Sequence, residues 1–443
     1  MRSSRRIEDA CRTDAAVRVI CGGLVPDHAT IARFVVDHER ALEGLFVSGL
    51  RLCAAAGLVD LSVVALDGTK MAADAALDRN RDGAWIGREV AKLLAATAAG
   101  EQAEPAGQAA LAGLDATAAG ELASPRGRLA RLQAALAVIE AEEAAGAADA
   151  QQKAEAARDA ARHGRKLSGR KPKDPAAALA RARADHQAAL ARAEAKQAER
   201  AAKVAAAHAA GRSLGGFAPG RDRALERAEA ALAAAQQAAQ TAPGALRQVN
   251  VTDPDSRIMK TAHGWVQGYN AQAIATEHQI VLACDVSQDA NDVLLYEPMM
   301  TALADTLAAA GITATAALAL ADAGYWSEAN ATAPGPERLI ATLKDHKQRR
   351  AARDRGQTSG PPPDGAAPAD AMEHRLRTAA GAAAYAQRSR TIEPVFADRK
   401  HNRGIRSFRR RGLAAAKSEW ALIHLAGNML KLRQHRAAPV VCV

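Results

Sequence analysis

The apolar positions of the first sixty residues repeat with a helical period. Ile31, Phe34, Val35, Leu42, Leu45 and Phe46 recur at spacings of three and four, Pro26-Asp27-His28-Ala29-Thr30 reads as a helix start, and Gly57 as a stop. The period then changes. Leu61-Ser62-Val63-Val64-Ala65-Leu66-Asp67-Gly68 is a β-branched apolar run closed by Asp-Gly, which predicts a buried strand ending on a carboxylate. From about Ala91 to Gln240 alanine takes over. There Leu129, Leu132, Leu136 and Ile139 follow a coiled-coil seam, and Glu199 can pair with Lys203 one turn on. Breaks at His163–Pro172 and Gly211–Gly216 predict antiparallel helices in an arm projecting from a core. The basic stretch Arg165–Lys173 reads equally as a contact for DNA phosphates or as a solvated interhelical loop.

Globular texture returns near residue 250. Trp265 to Ala275 and Gln279 to Val286, separated by Glu277-His278, predict an antiparallel hairpin, and Val293 to Ala310 a helix stopped by Gly311. A second apolar run, Ala316 to Ala321, ends in Asp322, and Arg338 to Leu343 predicts one more strand. Residues 351–371, with Pro361-Pro362-Pro363, read as a flexible loop, and the chain from Ile392 as helical and basic. The order is that of a mixed α/β core interrupted by a helical insertion. Expected boundaries are an N-terminal helical region at 1–60, a first core strand at 61–75, an Ala-rich helical insertion at 76–248, the rest of the core at 249–345, a flexible loop at 346–384, and a basic helical region at 385–443.

Composition narrows the function. A chain of 443 residues has room for about three domains, or for one enzyme core with a large insertion. The formal charge of +10 favours a polyanionic partner. From Pro394 to Arg436 there are eleven Lys/Arg, including Arg403, Arg406, Arg409, Arg410 and Arg411, against only Asp398 and Glu419. Nearly the whole surplus lies there. Cys11, Cys21, Cys53, Cys284 and Cys442 form no C-x-x-C pair, which argues against a zinc knuckle or a disulfide framework. The N-terminus lacks the apolar segment of a secretory signal, and no uncharged apolar run reaches the roughly 18 residues of a membrane span. A cytoplasmic protein without membrane association is expected. No G-x-x-x-x-G-K-[ST] loop occurs, so no nucleotide cofactor is expected either.

Three carboxylates sit where chemistry could be done. Asp67 and Asp322 each close an apolar strand and would emerge at one sheet edge if those strands are neighbours. Glu393 is followed by Pro394, which is tolerated in a helix's first turn and so places Glu393 at a helix start. Magnesium takes oxygen ligands and usually one or two protein carboxylates, so three could serve two ions around a scissile phosphate. Asp285 and Asp292 have nearly the same local credentials and read as strand-end and helix-cap residues. Asp253 and Asp255 flank Pro254 as turn formers. Spacing does not choose among them.

Several blocks in order resemble those of DDE transposases from bacterial insertion sequences. They are Asp67-Gly68-Thr69-Lys70, Trp265 to Gln272, Leu320-Ala321-Asp322-Ala323-Gly324-Tyr325-Trp326, Ile392 to Phe396, Lys400 to Gly404, and Arg411-Gly412. The resemblance covers 1–75 and 250–435 and leaves the Ala-rich arm without a signature. It implies an RNase H-like core, with Asp67, Asp322 and Glu393 as catalytic ligands of two Mg²⁺ ions, Mn²⁺ being a substitute. Also implied are cleavage of double-stranded DNA at terminal inverted repeats, strand transfer into target DNA, a homodimer that synapses two ends, and a bacterial, nucleoid-associated location. Within the group carrying a Tyr-Arg-Glu-Lys signature, Tyr385 and Arg388 have the expected spacing, as do Glu393 and Lys400. Four residues instead of three separate Arg388 from Glu393, which leaves Ser389 and Arg390 as neighbouring registers.

Lys400, Arg388, Tyr385 and the five arginines of the tail are the DNA-binding candidates. Tyr325 and Trp326 could stack on a frayed base or simply pack beneath the active-site loop. Residues 1–60 could read terminal repeats through Arg2, Arg5, Arg6 and Arg33, or cap the core. Competing readings are a metal-dependent nuclease without strand transfer, a non-enzymatic basic DNA-binding protein, and a decayed transposase.

Overall fold

The structure, a computed structural model, describes residues 3–103, 125–162, 175–211, 222–241 and 247–437. They fall into two compact units, one drawn from 1–80, 96–131 and 250–443, the other from 81–95 and 132–249. Among the described residues, no helix is long and apolar enough to cross a membrane.

The strands in chain order are β1 (Val63–Ala72), β2 (Asn80–Asp82), β3 (Gln248–Asn250), β4 (Arg257–Thr261), β5 (Gly264–Thr276), β6 (Val281–Ser287), β7 (Leu318–Ala321) and β8 (Glu337–Ile340). β2 and β3 form a small separate sheet. The main sheet lies in the first unit. Its 13-residue β5 pairs antiparallel with β4 along its first part, with β6 along its second, and with β1 on its other side. β1 in turn runs parallel to β7, and β7 parallel to β8.

Strand alternation splits the core into two layers. Ala65, Met71, Ala273, Leu320 and Leu339 face one side, and Val64, Leu66, Ile274, Ala319 and Ile340 the other. The helices are α1 (Ser4–Thr13), α2 (Ala15–Ile20), α3 (His28–Asp37), α4 (Glu39–Ala55), α5 (Gly83–Ala103), α6 (Pro125–Arg162), α7 (Pro175–Ala209), α8 (Arg223–Thr241), α9 (Tyr296–Ala309), α10 (Glu328–Thr332), α11 (Asp345–Arg355), α12 (Pro368–Arg377), α13 (Ala379–Ala397) and α14 (Leu413–Ala437). On the first face lie Met372 of α12, Ile392 and Phe396 of α13 and Trp420 of α14. Leu50 and Cys53 of α4 and Met299 and Leu303 of α9 cover the second. Trp420 is fully buried, stacks on Phe396 and donates its indole N–H to the Gln272 carbonyl at 2.8 Å. The basic C-terminal helix is thus part of the core as well as a charged surface.

α3 begins where the sequence predicts, with the Asp27 carboxylate accepting the Ala29 and Thr30 N–H groups at 2.8 Å. α4 caps the core, whereas Val19, Ile20, Leu24 and Phe34 of the preceding segments stay exposed. In the second unit α7 packs along α8, the buried stripe of α6 runs through Leu132, Ala135 and Ile139, and Lys203 pairs with Glu199 at 2.6 Å. The basic stretch 165–173 lies outside the described residues.

Three local expectations are corrected. Asp67 does not end its strand, because β1 continues to Ala72 with Asp67 opposite Ala273 and Gly68 opposite Gln272 of β5. What stops before Asp67 is the pairing with β7. Residues 346–384 are not a loop: α11, α12 and the start of α13 lie there, and only 356–367 and Thr378 are non-helical. Glu393 does not open a helix but sits near the end of α13, with Pro394 inside it. The Ala-rich run from Ala379, capped by the Thr378 hydroxyl on the Gly381 N–H, carries the helix up to the proline. Pro394 cannot donate to the Arg390 carbonyl, and the ladder widens just afterwards into a π turn at Asp398–Asn402.

Candidate active site

The register of two parallel strands builds the centre of the site. Ala65 of β1 lies beside Leu320 of β7. Two residues further along each chain stand Asp67 and Asp322, so alternation sends both carboxylates to the face that Ala65 and Leu320 share. The Asp67 carboxyl is pushed up to about 7, first by burial and then by the negative charge of Asp322. Arg388 and the Gly68 N–H, which donates to Asp67 Oδ1 at 2.8 Å, oppose that rise. Asp322 leaves β7 and caps a single 3₁₀ turn, its Oδ1 accepting the Gly324 N–H at 2.9 Å.

α13 crosses this face of β1 and brings the third carboxylate. The buried Arg388 sets Nη1 3.4 Å from Asp67 Oδ2 and Nη2 3.4 Å from Glu393 Oε1, with the Tyr385 ring 5.9 Å from its guanidinium carbon. Glu393 itself is more than half exposed. Arg388 is therefore an internal clamp between two acids. Its burial and these two contacts give Arg388 a role inside the site, in addition to the DNA contact expected of it.

Lys400, on the π turn, donates to Thr69 Oγ1 and, at 3.3 Å, to the Lys70 carbonyl. Burial lowers its pKa while the nearby Asp67 pulls the other way. From that turn Lys400 reaches β1.

Tyr325 is fully buried among the apolar side chains of the second layer and donates its hydroxyl to Gln272 Oε1. This corrects the base-stacking expectation for Tyr325. Trp326 packs against both core layers from a partly buried position.

The sequence reading missed the polar group on the opposite face of β1. Asp292 Oδ1 accepts from Asn270 Nδ2 at 2.7 Å, Gln272 Nε2 at 3.0 Å and Lys70 Nζ at 3.2 Å. A usable signal was present, because Asn270 and Gln272 are polar at alternating positions of the buried stretch of β5. The other acids are accounted for as structure. Asp253 accepts the Tyr269 hydroxyl and the Gly412 N–H, Asp255 the Leu413 N–H, and Asp285 pairs with Lys417.

Much of the tail's charge is engaged within the chain. Arg399 and Arg403 bind Asp398, Arg410 pairs with Glu39 at 3.0 Å, and Arg411 with Asp74 at 3.0 Å. Arg406 and Arg409 are exposed, with Arg406 Nε donating to the Lys400 carbonyl at 3.4 Å.

Could these residues hold a divalent cation? Asp67 and Asp322 offer hard oxygen donors, and a largely buried carboxyl raised by a second one is the setting a cation relieves. Among the described residues no three His, Cys, Asp or Glu side chains converge on one ion. Two carboxylates nevertheless match what magnesium usually takes from protein. The donor set fits.

A family model described as "Transposase DDE domain" matches residues 365–433, the stretch that carries Tyr385, Arg388, Glu393 and Lys400. This match supports a DDE-type transposase, a polynucleotidyl transferase or nuclease acting on DNA. No curated protein and no solved structure matches the chain.

Proposed function

We propose that this protein is the transposase of an insertion sequence, cutting transposon ends and joining them to target DNA with two bound Mg²⁺ ions, for which Mn²⁺ can substitute. The observation that carries the reading is the register-matched pair Asp67 and Asp322, joined through Arg388 to Glu393 inside the segment the family model matches. The strand order β6-β5-β1-β7-β8, antiparallel up to β1 and parallel beyond it, supports an RNase H-like core.

In this reading Asp67, Asp322 and Glu393 hold the ions, which when bound supply an activated attacking oxygen and neutralise charge on the leaving oxygen. The chain's own residues do the rest. Arg388 balances two of the acids within a buried setting, and Lys400 holds a positive charge beside Asp67 where a scissile phosphate would lie. Exposed Arg406 and Arg409 track the DNA backbone. The partners are double-stranded terminal repeats and target DNA, brought together by a homodimer on the bacterial nucleoid in the cytoplasm.

The test is incubation of the full chain with Mg²⁺, a linear DNA ending in the repeats that flank its coding sequence, and a supercoiled target. Joined products are expected. Cut ends that are never joined would reassign the protein as a nuclease, and retention of DNA without cutting as a binding protein.

A further inference from the structure

We propose that Asp292 is a positioning residue that sets the spacing of Asp67 and Asp322 from the opposite face of the sheet. The inference rests on the catalytic reading above and adds a residue outside its triad. Asp292 opens the 3₁₀ turn before α9, and its Oδ1 gathers three donors from two strands, Lys70 from β1 and Asn270 and Gln272 from β5. Gln272 Nε2 also donates to Asn270 Oδ1 at 2.9 Å, and Gln272 Oε1 accepts the Tyr325 hydroxyl. A continuous path of hydrogen bonds therefore runs from Lys70, three residues past Asp67, through Asp292 and Gln272 to Tyr325, three residues past Asp322.

Two further features tie Asp292 to both acids. The side chain of Asn330 donates at 2.7 Å to the carbonyls of both Val293 and Tyr325, locking the turn that carries Asp292 to the turn that follows Asp322. Glycines open the way. A Cβ on Gly68, next to Asp67, would collide with the Gln272 amide and stand 2.9 Å from Asp292 Oδ1. A Cβ on Gly324 would stand 2.9 Å from Asp322 Oδ1 and 3.3 Å from Asp292 Oδ2. Both glycines thus sit where Asp292 comes close to the strand residue after Asp67 and to the turn after Asp322. A carboxylate that only filled space beside the second core layer would need neither the glycines nor three donors on one oxygen, two of them from the buried Asn270 and Gln272. Groups that orient metal-holding carboxylates typically matter by about 10–100-fold in metal affinity or activity.

The experiment compares wild type, Asp292→Ala, Asp292→Asn, Tyr325→Phe and Asp322→Asn in the full chain. Ca²⁺ affinity is read by calorimetry, the Mg²⁺ dependence of end cleavage by gel, and folding by thermal melting in chelator. Asp292→Ala is expected to weaken Ca²⁺ binding on the order of tenfold or more and to raise the Mg²⁺ concentration for half-maximal cleavage in step. Asp292→Asn and Tyr325→Phe should shift both in the same direction by less. A purely structural role would lower the melting temperature and leave the metal affinity of the folded protein unchanged, and that result overturns the inference. If neither Asp292 variant folds, Tyr325→Phe decides alone, and wild-type metal affinity in it is the overturning result. Asp322→Asn separates the two levels: if it retains wild-type Ca²⁺ binding and cleavage, the catalytic reading itself fails and takes the inference with it.

Discussion

Arg388 Nη1 lies 3.4 Å from Asp67 Oδ2, across 321 residues of sequence. With its other nitrogen on Glu393, this one guanidinium joins the first and last of the proposed ligands, so removing it should disturb both. In chelator, Arg388→Met is expected to lose about 1–3 kcal/mol of stability, the cost of leaving a largely buried carboxylate without its charged partner. Arg388→Lys should recover only part of this, because a single ammonium cannot span two carboxylates as a planar fork does. Urea unfolding of the three proteins measures it, and a full recovery by lysine would contradict the clamp.

Asp67 gives the metal-free protein a characteristic pH dependence. Its carboxyl ordinarily ionises near 3.8 but in the folded chain only near 7, so folding favours the protonated acid between those values. The stability contributed by that proton is complete below about 3.8 and is lost as pH rises through about 7. Asp67→Asn should remove this slope and make the chelated protein more stable than wild type at pH 8, with little difference at pH 4. Equal slopes in the two proteins would show that Asp67 is not held in the raised state.

Divalent cation should reverse that penalty. At ten times its dissociation constant, Ca²⁺ or Mg²⁺ is expected to add about 1.4 kcal/mol to wild-type stability at pH 8. The gain should vanish in Asp322→Asn. Thermal melting against cation concentration reads both.

Under the proposed function the tail holds cations that contact DNA and cations paired within the chain. Reversing Arg406 and Arg409 to glutamate should flatten the dependence of DNA binding on salt by roughly 0.9 for each phosphate no longer neutralised, without changing the melting temperature. Reversing Arg410 and Arg411 instead places like charges beside Glu39 and Asp74, and should lower the melting temperature. Filter binding at several salt concentrations, with melts of the same variants, distinguishes the pairs.

Much of this architecture was legible in the sequence, for identifiable reasons. Val63–Leu66 and Leu318–Ala321 read as buried strands because parallel strands covered on both faces carry continuous apolar runs. The Asp27 cap and the Gly57 stop were local signals and needed no tertiary information. Asp67-Gly68 misled because Asp-Gly usually marks a turn, whereas here the glycine lets a strand pass close over the Gln272 and Asp292 side chains. Pro394 misled in the same way, since proline usually marks a helix's first turn, whereas here it lies inside α13. Asp292 had the local credentials of a site carboxylate but read as a helix cap, because its partners are 222, 22 and 20 residues away and only the folded sheet brings them together.

The most direct test of the central claim is single-turnover cleavage of a transposon-end DNA with Mg²⁺ by wild type, Asp67→Asn, Asp322→Asn and Glu393→Gln, with DNA binding measured in parallel. Loss of a ligand that stabilises the transition state by several kcal/mol corresponds to a rate drop on the order of a thousandfold. Each variant should show that drop while still binding the DNA. Cleavage within tenfold of wild type by Asp67→Asn or Asp322→Asn would contradict the site described here.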